Sequence, residues 1–271
     1  MITGARNSID VPAPPVAPGG FLAGATVLNV TDGDHSLMGV QYESVACFMP
    51  VSDVIGDWCV PPVGTLDCAA GTWTVVNGKT FNGVQQLYEG DPFALYQGVE
   101  CTMQSMEDNE DQAKQVFDYS ERAGIDQRLS AFLAADPDIV DVGTGTPAEV
   151  LGKLEANVMA TYGGVPLIAI PVELIPMFCQ DHLIAPNMDG TFSTCQGSVV
   201  VGVVDPSAPG VLYAMGRLIL VRGPLNTFNA PPQMIPCPDG SFINSPARAL
   251  AERIYVPVVE CVPYKATVSV P

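Results

Sequence analysis

Apolar residues recur along this chain with two periods, and the helical one runs longest from Ser105 to Ala135, SMEDNEDQAKQVFDYSERAGIDQRLSAFLAA. Ala113, Val116, Phe117, Ser120 and Ala123 make one stripe, and Ile125, Leu129, Phe132 and Leu133 continue it with a sideways drift. Ser105 is the expected N-cap, with Asp108 three residues on, and Glu107, Asp108, Glu110 and Asp111 set negative charge beside the positive end of the helix dipole. A helix of ~30 residues spans roughly 45 Å, longer than a compact domain needs internally. It reads as a strut dividing a Pro-, Gly- and Cys-rich first third from an apolar, mixed α/β remainder.

Before the strut, residues 1–20 contain Pro12, Pro14, Pro15 and Pro18, which exclude a helix and predict an extended arm that docks through the β-prone segment Phe21 to Val30. Between residues 31 and 90, short strand-like runs alternate with turns. Asn77-Gly78, between TWTVV and KTF, predicts a type I′ hairpin, because that pair tolerates positive φ. Asp91 to Met103 predicts a strand leading directly into the strut.

After the strut, an acidic linker, DPDIVDVGTGT, precedes a second helix with a strong start. Thr146 is its N-cap, Pro147 its first residue and Glu149 the return member of a capping box. Val150, Leu151, Leu154, Val158 and Tyr162 form its apolar face, and Gly163 and Gly164 predict a left-handed C-terminus. VPLIAIP predicts a buried strand, and VELIPMFCQDHL a short helix that Pro176 begins or kinks. SVVVGVV and the segment from Gly210 to Gly223 predict strands, a polar loop runs from Pro224 to Pro246, and alternation at Ile254, Val256, Val258 and then Ala266, Val268, Val270 predicts two terminal strands.

Composition changes the picture in one respect. The 271 residues are 48% hydrophobic with a mean hydropathy of +0.26, yet only 15% are charged, so much of the surface is expected to be buried against other chains. A formal net charge of −18 with no basic run argues against direct binding of nucleic acid. No apolar run reaches a membrane span, and the N-terminus has no apolar leader, so a soluble chain is expected.

The 8 cysteines form no C-x-x-C pair, and mostly free, buried thiols of a cytosolic product are expected; if a bridge forms, Cys47, Cys59 and Cys68 are its candidates. Catalytic chemistry is not evident. His35 and His182 have no partner motif, Asp32-Gly33-Asp34 lacks the remaining calcium ligands, and GTGT at 143–146 lacks the Lys of a phosphate loop. No catalytic residue, cofactor or metal is expected.

The order of these elements resembles the major capsid protein of tailed phages, the Hong Kong 97-type fold. EGDPFALYQGVECTM followed by the acidic start of the strut resembles the family's strand and spine-helix junction. PAEVLGKLEANVMATYGGVPLIAIPVELIPMF resembles its axial-domain helix, strand and helix. SVVVGVVDPSAPGVLYAMGRLILVRG and ERIYVPVVECVPYKATVSV resemble its axial and closing peripheral strands.

The resemblance implies an α+β fold with an N-terminal arm at 1–30, a long hairpin excursion (the E-loop) at 31–90, a peripheral-domain strand and spine helix at 91–142, an axial domain at 143–250 and closing peripheral strands at 251–271. It implies copies assembled as hexamers and pentamers into an icosahedral head in the host cytoplasm, enclosing double-stranded DNA without binding it specifically. A separate scaffolding protein, a portal and a decoration protein are the implied partners, and the virion is the implied location. The assembly candidates are Asn77, Gly78 and Lys79 at the hairpin and Phe117 and Leu129 on the spine helix, whose second face a neighbour's hairpin would cover.

Lys79 is also the hairpin lysine that crosslinking to Asn226, Asn229 or Asn244 of a neighbour would use. An encapsulin-type nanocompartment shell shares the fold, a tail or head-completion protein shares the composition, and a soluble α/β enzyme would need a site that the sequence does not display. Changing Phe117 or Leu129 to Asp is expected to abolish folding and assembly together, with changes in the acidic first turn mild; circular dichroism and electron microscopy of the variants check this.

Overall fold

The structure, a computed structural model, describes residues 19–31, 35–44, 47, 64–67, 72–75, 86–101, 106–204, 209–231, 234–236, 242–244 and 247–269. A short helix α1 (Gly20–Gly24) and strand β1 (Thr26–Asn29) come first. The excursion holds a 3-10 turn at His35–Met38, then β2 (Val40–Ser44), β3 (Gly64–Asp67), β4 (Thr72–Val75) and β5 (Gln86–Gly90). Strand β6 (Phe93–Cys101) leads to the strut, α2 (Met106–Ala135).

Then come β7 (Val140–Gly145), α3 (Pro147–Met159), β8 (Leu167–Pro171), α4 (Ile175–Gln180), β9 (Ile184–Pro186), β10 (Phe192–Thr194) and β11 (Val199–Val203). The chain closes with β12 (Val211–Met215), β13 (Leu218–Arg222), β14 (Asn226–Ala230), β15 (Met234–Pro236), β16 (Phe242–Asn244), β17 (Ala247–Val259) and β18 (Tyr264–Val268).

Two sheets carry the core. The seven-stranded sheet, in the order β7-β18-β12-β8-β11-β10-β9, is apolar on both faces. Ile168, Ile170, Val200, Leu212, Ala214 and Ala266 pack with Val150, Leu154 and Val158 of α3 and Phe178 of α4. The alternate residues Leu167, Ala169, Val201, Tyr213 and Met215 point the other way, onto Phe21 of α1 and Ile125, Leu129 and Leu133 of α2. Burial on both faces is why these strands read as continuous apolar runs. In the five-stranded sheet, β17 is the hub: it pairs with β13 and β14 along one side and with β6 along the other.

The sheets are joined by strands that pass through both. The segment predicted from Gly210 to Gly223 breaks at Gly216-Arg217, so that β12 pairs with β18 in one sheet and β13 with β17 in the other. The Gly216 N–H donates to the Glu260 carbonyl at 3.2 Å, and the Glu260 N–H to the Arg217 carbonyl at 2.9 Å. A Cβ on Gly216 would stand 2.6 Å from that Glu260 carbonyl, so only glycine fits the crossing.

Several expectations hold in detail. Thr146 and Glu149 form the reciprocal capping box, with Pro147 at the first turn of α3. Pro176 begins α4 rather than kinking it.

Others are corrected. DPDIVDVGTGT is not a linker: β7 within it pairs in parallel with β18. Helix α3 ends at Met159 with Ala160 in right-handed geometry, and neither Gly163 nor Gly164 has positive φ. The Asn77-Gly78 hairpin, by contrast, lies outside the described residues; of TWTVV, β4 pairs along one edge with the preceding β3, from Gly64↔Val75 to Asp67↔Thr72. From Gly19 on, the arm already belongs to the core: Phe21 is fully buried, and β1 adds to β13 in parallel. The closing segment divides between layers, since β18 lies in the seven-stranded sheet.

The strut's stripe also differs from its expected course. Asn109, Ala113, Phe117, Glu121, Ile125, Leu129 and Leu133 are all buried, a ladder of four-residue steps, while Val116 and Ala123 are exposed. Each step overshoots a full turn by ~40°, so the buried line rotates by roughly 240° along the helix. That drift carries α2 from Ala249 and Ala251 of the five-stranded sheet to the core beneath the seven-stranded one. Both contacts lie within the chain, and neither Phe117 nor Leu129 is offered to a neighbour.

Two glycines test this layout. Gly152, in mid-helix with nothing within 4 Å of an added Cβ, is expected to gain about 0.5–1 kcal/mol as Gly152→Ala. Gly216→Ala is expected to lower stability; chemical denaturation of both variants measures the contrast.

Candidate assembly surfaces and the charged anchors behind them

Helix α2 is fixed to the five-stranded sheet by charge as well as by apolar burial. The Glu121 carboxylate, on the ladder between Phe117 and Ile125, accepts two hydrogen bonds from Arg222 of β13 at 2.7 and 2.9 Å. It accepts a third at 2.6 Å from Arg253 of β17 and a fourth from the Tyr255 hydroxyl. Burial, and then the hydrogen bond to Glu121, push the Tyr255 hydroxyl pKa well up. The Arg253 guanidinium also stands 5.5 Å from the Phe117 ring centroid, and Tyr255 stacks on Phe93 at 5.4 Å. A buried carboxylate is costly unless its lone pairs are filled, and here two arginines and a phenol fill them. The cluster therefore sets the rotation and register of the helix on β13 and β17.

Two further acids pin the ends of this seam. Glu110, in the first turns of α2, bonds Lys114 at 2.8 Å, the Thr227 hydroxyl at 2.8 Å and the Asn229 amide at 2.9 Å, which ties the helix to β14. Lys114 first, then Thr227 and Asn229, draw the Glu110 carboxyl down to about 2. At the other end, Asp126 is fully buried and accepts the Phe21 N–H at 2.8 Å and the Val204 N–H at 3.1 Å, with Arg122 at 3.8 Å. This joins α1, α2 and the end of β11. Gly19 and Gly20, at φ 122 and 69, bring the backbone over Arg122 and Asp126, and a Cβ on Gly20 would collide with the Asp126 carboxylate.

Opposite α2, the 3-10 turn and β5 pack on the β13 end of the five-stranded sheet, at Gly223, Val256 and Val258, and among the described residues the remainder around β6 and β14 is open. Tyr96 of β6 and Phe228 of β14 are 67% and 55% exposed on it. Gly98, Leu250 and Phe228 are register partners across β6, β17 and β14. The missing side chain at Gly98 helps form a groove of about 430 Å³, whose polar margin is the Glu100–Arg248 pair at 3.2 Å. An added Cβ at Gly98 would meet only ordinary contacts, at 3.7 Å and beyond, so neither packing nor backbone strain demands a glycine there. The outer side of α2 adds Val116 and Tyr119, both partly exposed.

The residues singled out from sequence are scattered. Phe117 and Leu129 are core residues 1% exposed. Asn77, Gly78, Lys79, Cys59 and Cys68 lie outside the described residues. Cys47, one of the three bridge candidates, is joined to Cys261, a partner that sequence did not single out; Cys179 and Cys195 are free. Of the crosslinking candidates, Asn229 is held by Glu110.

Among the described residues, no three side chains of metal-ligating type come together, and no helix is long and apolar enough to cross a membrane. Sequence reasoning missed Glu121, Asp126 and the Tyr96–Phe228 face. A four-residue ladder from Asn109 would have placed Glu121 inside; the open face has no such sign, since Tyr96 alternates as any strand residue does.

No protein-family model matches the sequence and no curated relative does. Solved structures do match. The chain aligns over 99% of its length with 96% of a chain from the capsid of the empty GTA particle computed with C5 symmetry, at a TM-score of 0.55 and 11% identity. It aligns over 100% with 92% of a chain from Gordonia phage Cozz, at a TM-score of 0.52 and 12% identity. It aligns over 98% with 95% of a chain from Mycobacterium phage Cain, at a TM-score of 0.50 and 13% identity. Coverage of both partners nearly end to end means that the whole architecture is shared. The fold is therefore the α+β capsid fold of the Hong Kong 97 type, with α2 as its spine helix.

The Asp126 anchor carries a pH signature. Burial raises its pKa to about 6 from an ordinary value of 3.8, against the two backbone donors and Arg122, which lower it. Because the folded-state value lies above the unfolded one, Asp126 favours the folded state most below about 4, and this contribution, about 3 kcal/mol, is lost as pH rises through about 6. Asp126→Asn is expected to remove that part of the stability change between pH 4 and 6, measured by denaturant unfolding across the range.

Proposed function

We propose that this chain is the major capsid subunit of a tailed-phage head. The observation that carries the reading is the end-to-end likeness to a chain of the GTA particle capsid, joined to a sheet surface around β6 and β14 that exposes Tyr96 and Phe228. The role is structural rather than catalytic. Copies of the chain tile as hexamers and pentamers. The layer of α2 and the five-stranded sheet forms the peripheral part, the seven-stranded layer with α3 and α4 the axial part, and the excursion, closed at its base by β2 and β5, reaches toward a neighbour.

The occupant of the Tyr96–Gly98–Phe228 face is a second copy. Its rim carries an internal ion pair, and a chain with a net charge of −18 repels its copies unless apolar contacts outweigh that repulsion. The same charge suits an inner wall that encloses double-stranded DNA without gripping it. A scaffolding protein directs curvature, a portal takes one vertex, and a decoration protein binds the finished shell, which is built in the host cytoplasm and becomes the virion head.

Negative-stain microscopy of the protein expressed alone and with its scaffold tests the reading. Closed shells tens of nanometres across are expected; tubes or rings would redirect it to a tail role, and small monodisperse particles would overturn it. Tyr96→Asp with Phe228→Asp is expected to leave the circular dichroism of the subunit unchanged while abolishing shells.

A further inference from the structure

Cys47 and Cys261 are 214 residues apart in sequence and join with a Cα–Cα separation of 5.6 Å. Their position is unusual. Cys261 lies just past the crossing where the paired strands leave the five-stranded sheet for the seven-stranded one, beside Glu260, whose backbone bonds Gly216 and Arg217 across the break. It has positive φ, at 66°, so the chain turns sharply there. Cys47 belongs to the excursion, three residues past β2, and forms a backbone bridge to Tyr162 beyond the end of α3. The Tyr162 ring in turn lies against Gly216, where an added Cβ would meet it at 3.1 Å. One bond thus ties together the excursion, the crossing between the sheets and the α3 layer.

We infer that this pair is a redox staple, closed after the subunit has folded, which locks the base of the excursion onto the junction of the two layers. The folded chain does not need the bond to define its topology: β2 pairs with β5, Cys47 pairs with Tyr162 through backbone, and Cys261 is already buried within the α3 core. In a reducing cytosol both residues stay thiols. Once the particle meets an oxidising solution, a small-molecule disulfide such as oxidised glutathione supplies the oxidant. Cys47, half-buried where Cys261 is 6% exposed, reacts first: its thiolate attacks one sulfur of oxidised glutathione, displaces the other half as a glutathione thiolate and forms a mixed disulfide. The Cys261 thiolate then attacks the Cys47 sulfur and displaces the second glutathione. In balance, two cysteine thiols and one oxidised glutathione give one protein disulfide and two reduced glutathiones.

Closing a loop of this length constrains the unfolded chain strongly, and in the folded chain it removes the freedom of the excursion relative to the crossing. Assembly intermediates keep that freedom, and finished particles lose it. The staple itself stands whether or not the subunit forms shells; only its link to finished particles rests on the capsid reading.

The test begins with cells lysed directly into an alkylating reagent, followed by peptide mass mapping, with a second sample treated with oxidised glutathione before alkylation. Alkylated Cys47 and Cys261 are expected in the first sample and the Cys47–Cys261 linked peptide in the second. A linked peptide in the first sample, or none in the second, overturns the proposal.

On the purified full chain, oxidation is expected to raise the unfolding temperature by roughly 10 °C, and dithiothreitol to reverse it. Cys47→Ser is expected to abolish the shift and Cys195→Ser to keep it. An equal shift in Cys47→Ser would overturn the assignment. Should the serine variant fail to fold, the reduced wild-type chain serves as the unstapled form, and an unfolding temperature unchanged by reduction overturns the proposal equally. Shell formation is scored separately, so that a particle with no staple and a staple with no particle are distinguishable outcomes.

Discussion

The antiparallel ribbon formed by β12–β13 and β17–β18 is the constraint on which the rest of the subunit depends. It runs through both sheets, and at its crossing the backbones of Gly216, Arg217 and Glu260 keep their hydrogen bonds while the strand direction changes. Because the same two segments contribute to both layers, neither sheet can move far without deforming the other. Gly216 is required there because the Glu260 carbonyl occupies the space of a side chain. Every other element is placed by reference to this ribbon: α3 and α4 on one side of the seven-stranded half, α1 and the end of α2 on the other, and the length of α2 along the five-stranded half.

Helix α2 spans both halves, and its sequence solves a geometric problem. A stripe at the usual helical spacing would face one direction, but the two layers meet the helix from different directions. The four-residue ladder from Asn109 to Leu133 turns the buried face gradually from one to the other. A rotating apolar line alone would allow the helix to roll or slide. Glu110, Glu121 and Asp126 remove that freedom, each bonded to a different partner: β14, the β13–β17 pair, and the α1–β11 junction. Apolar burial supplies most of the stabilisation, and the charged anchors select one arrangement among several of similar apolar energy.

That economy of charge shapes the surface. Lys114, Arg122, Arg217, Arg222, Arg248 and Arg253, more than half of the 11 basic residues, are within ion-pair distance of acids of the same chain. The remaining acids make the exterior negative, which favours solubility and opposes contact between copies. A contact between copies would therefore have to rest on apolar faces, and among the described residues the sheet face around Tyr96, Gly98 and Phe228 is one that stays exposed.

The sequence by itself determined what local physics controls. The capping box at Thr146 and Glu149, the start of α4 at Pro176, the extent of the spine helix and the apolar runs of the seven-stranded sheet all depend on neighbours a few residues away, and each was legible. What only the tertiary structure decided depends on partners far along the chain. DPDIVDVGTGT reads as polar loop until β18 offers it a ladder, and β4 has two sequence neighbours that could pair with it. A glutamate on a helix looks solvated until Arg222 and Arg253, more than 100 residues away, converge on it. Cys47 was legible as a candidate for a bridge, but its partner was not, because the distance between two cysteines 214 positions apart is set by the path of the chain between them.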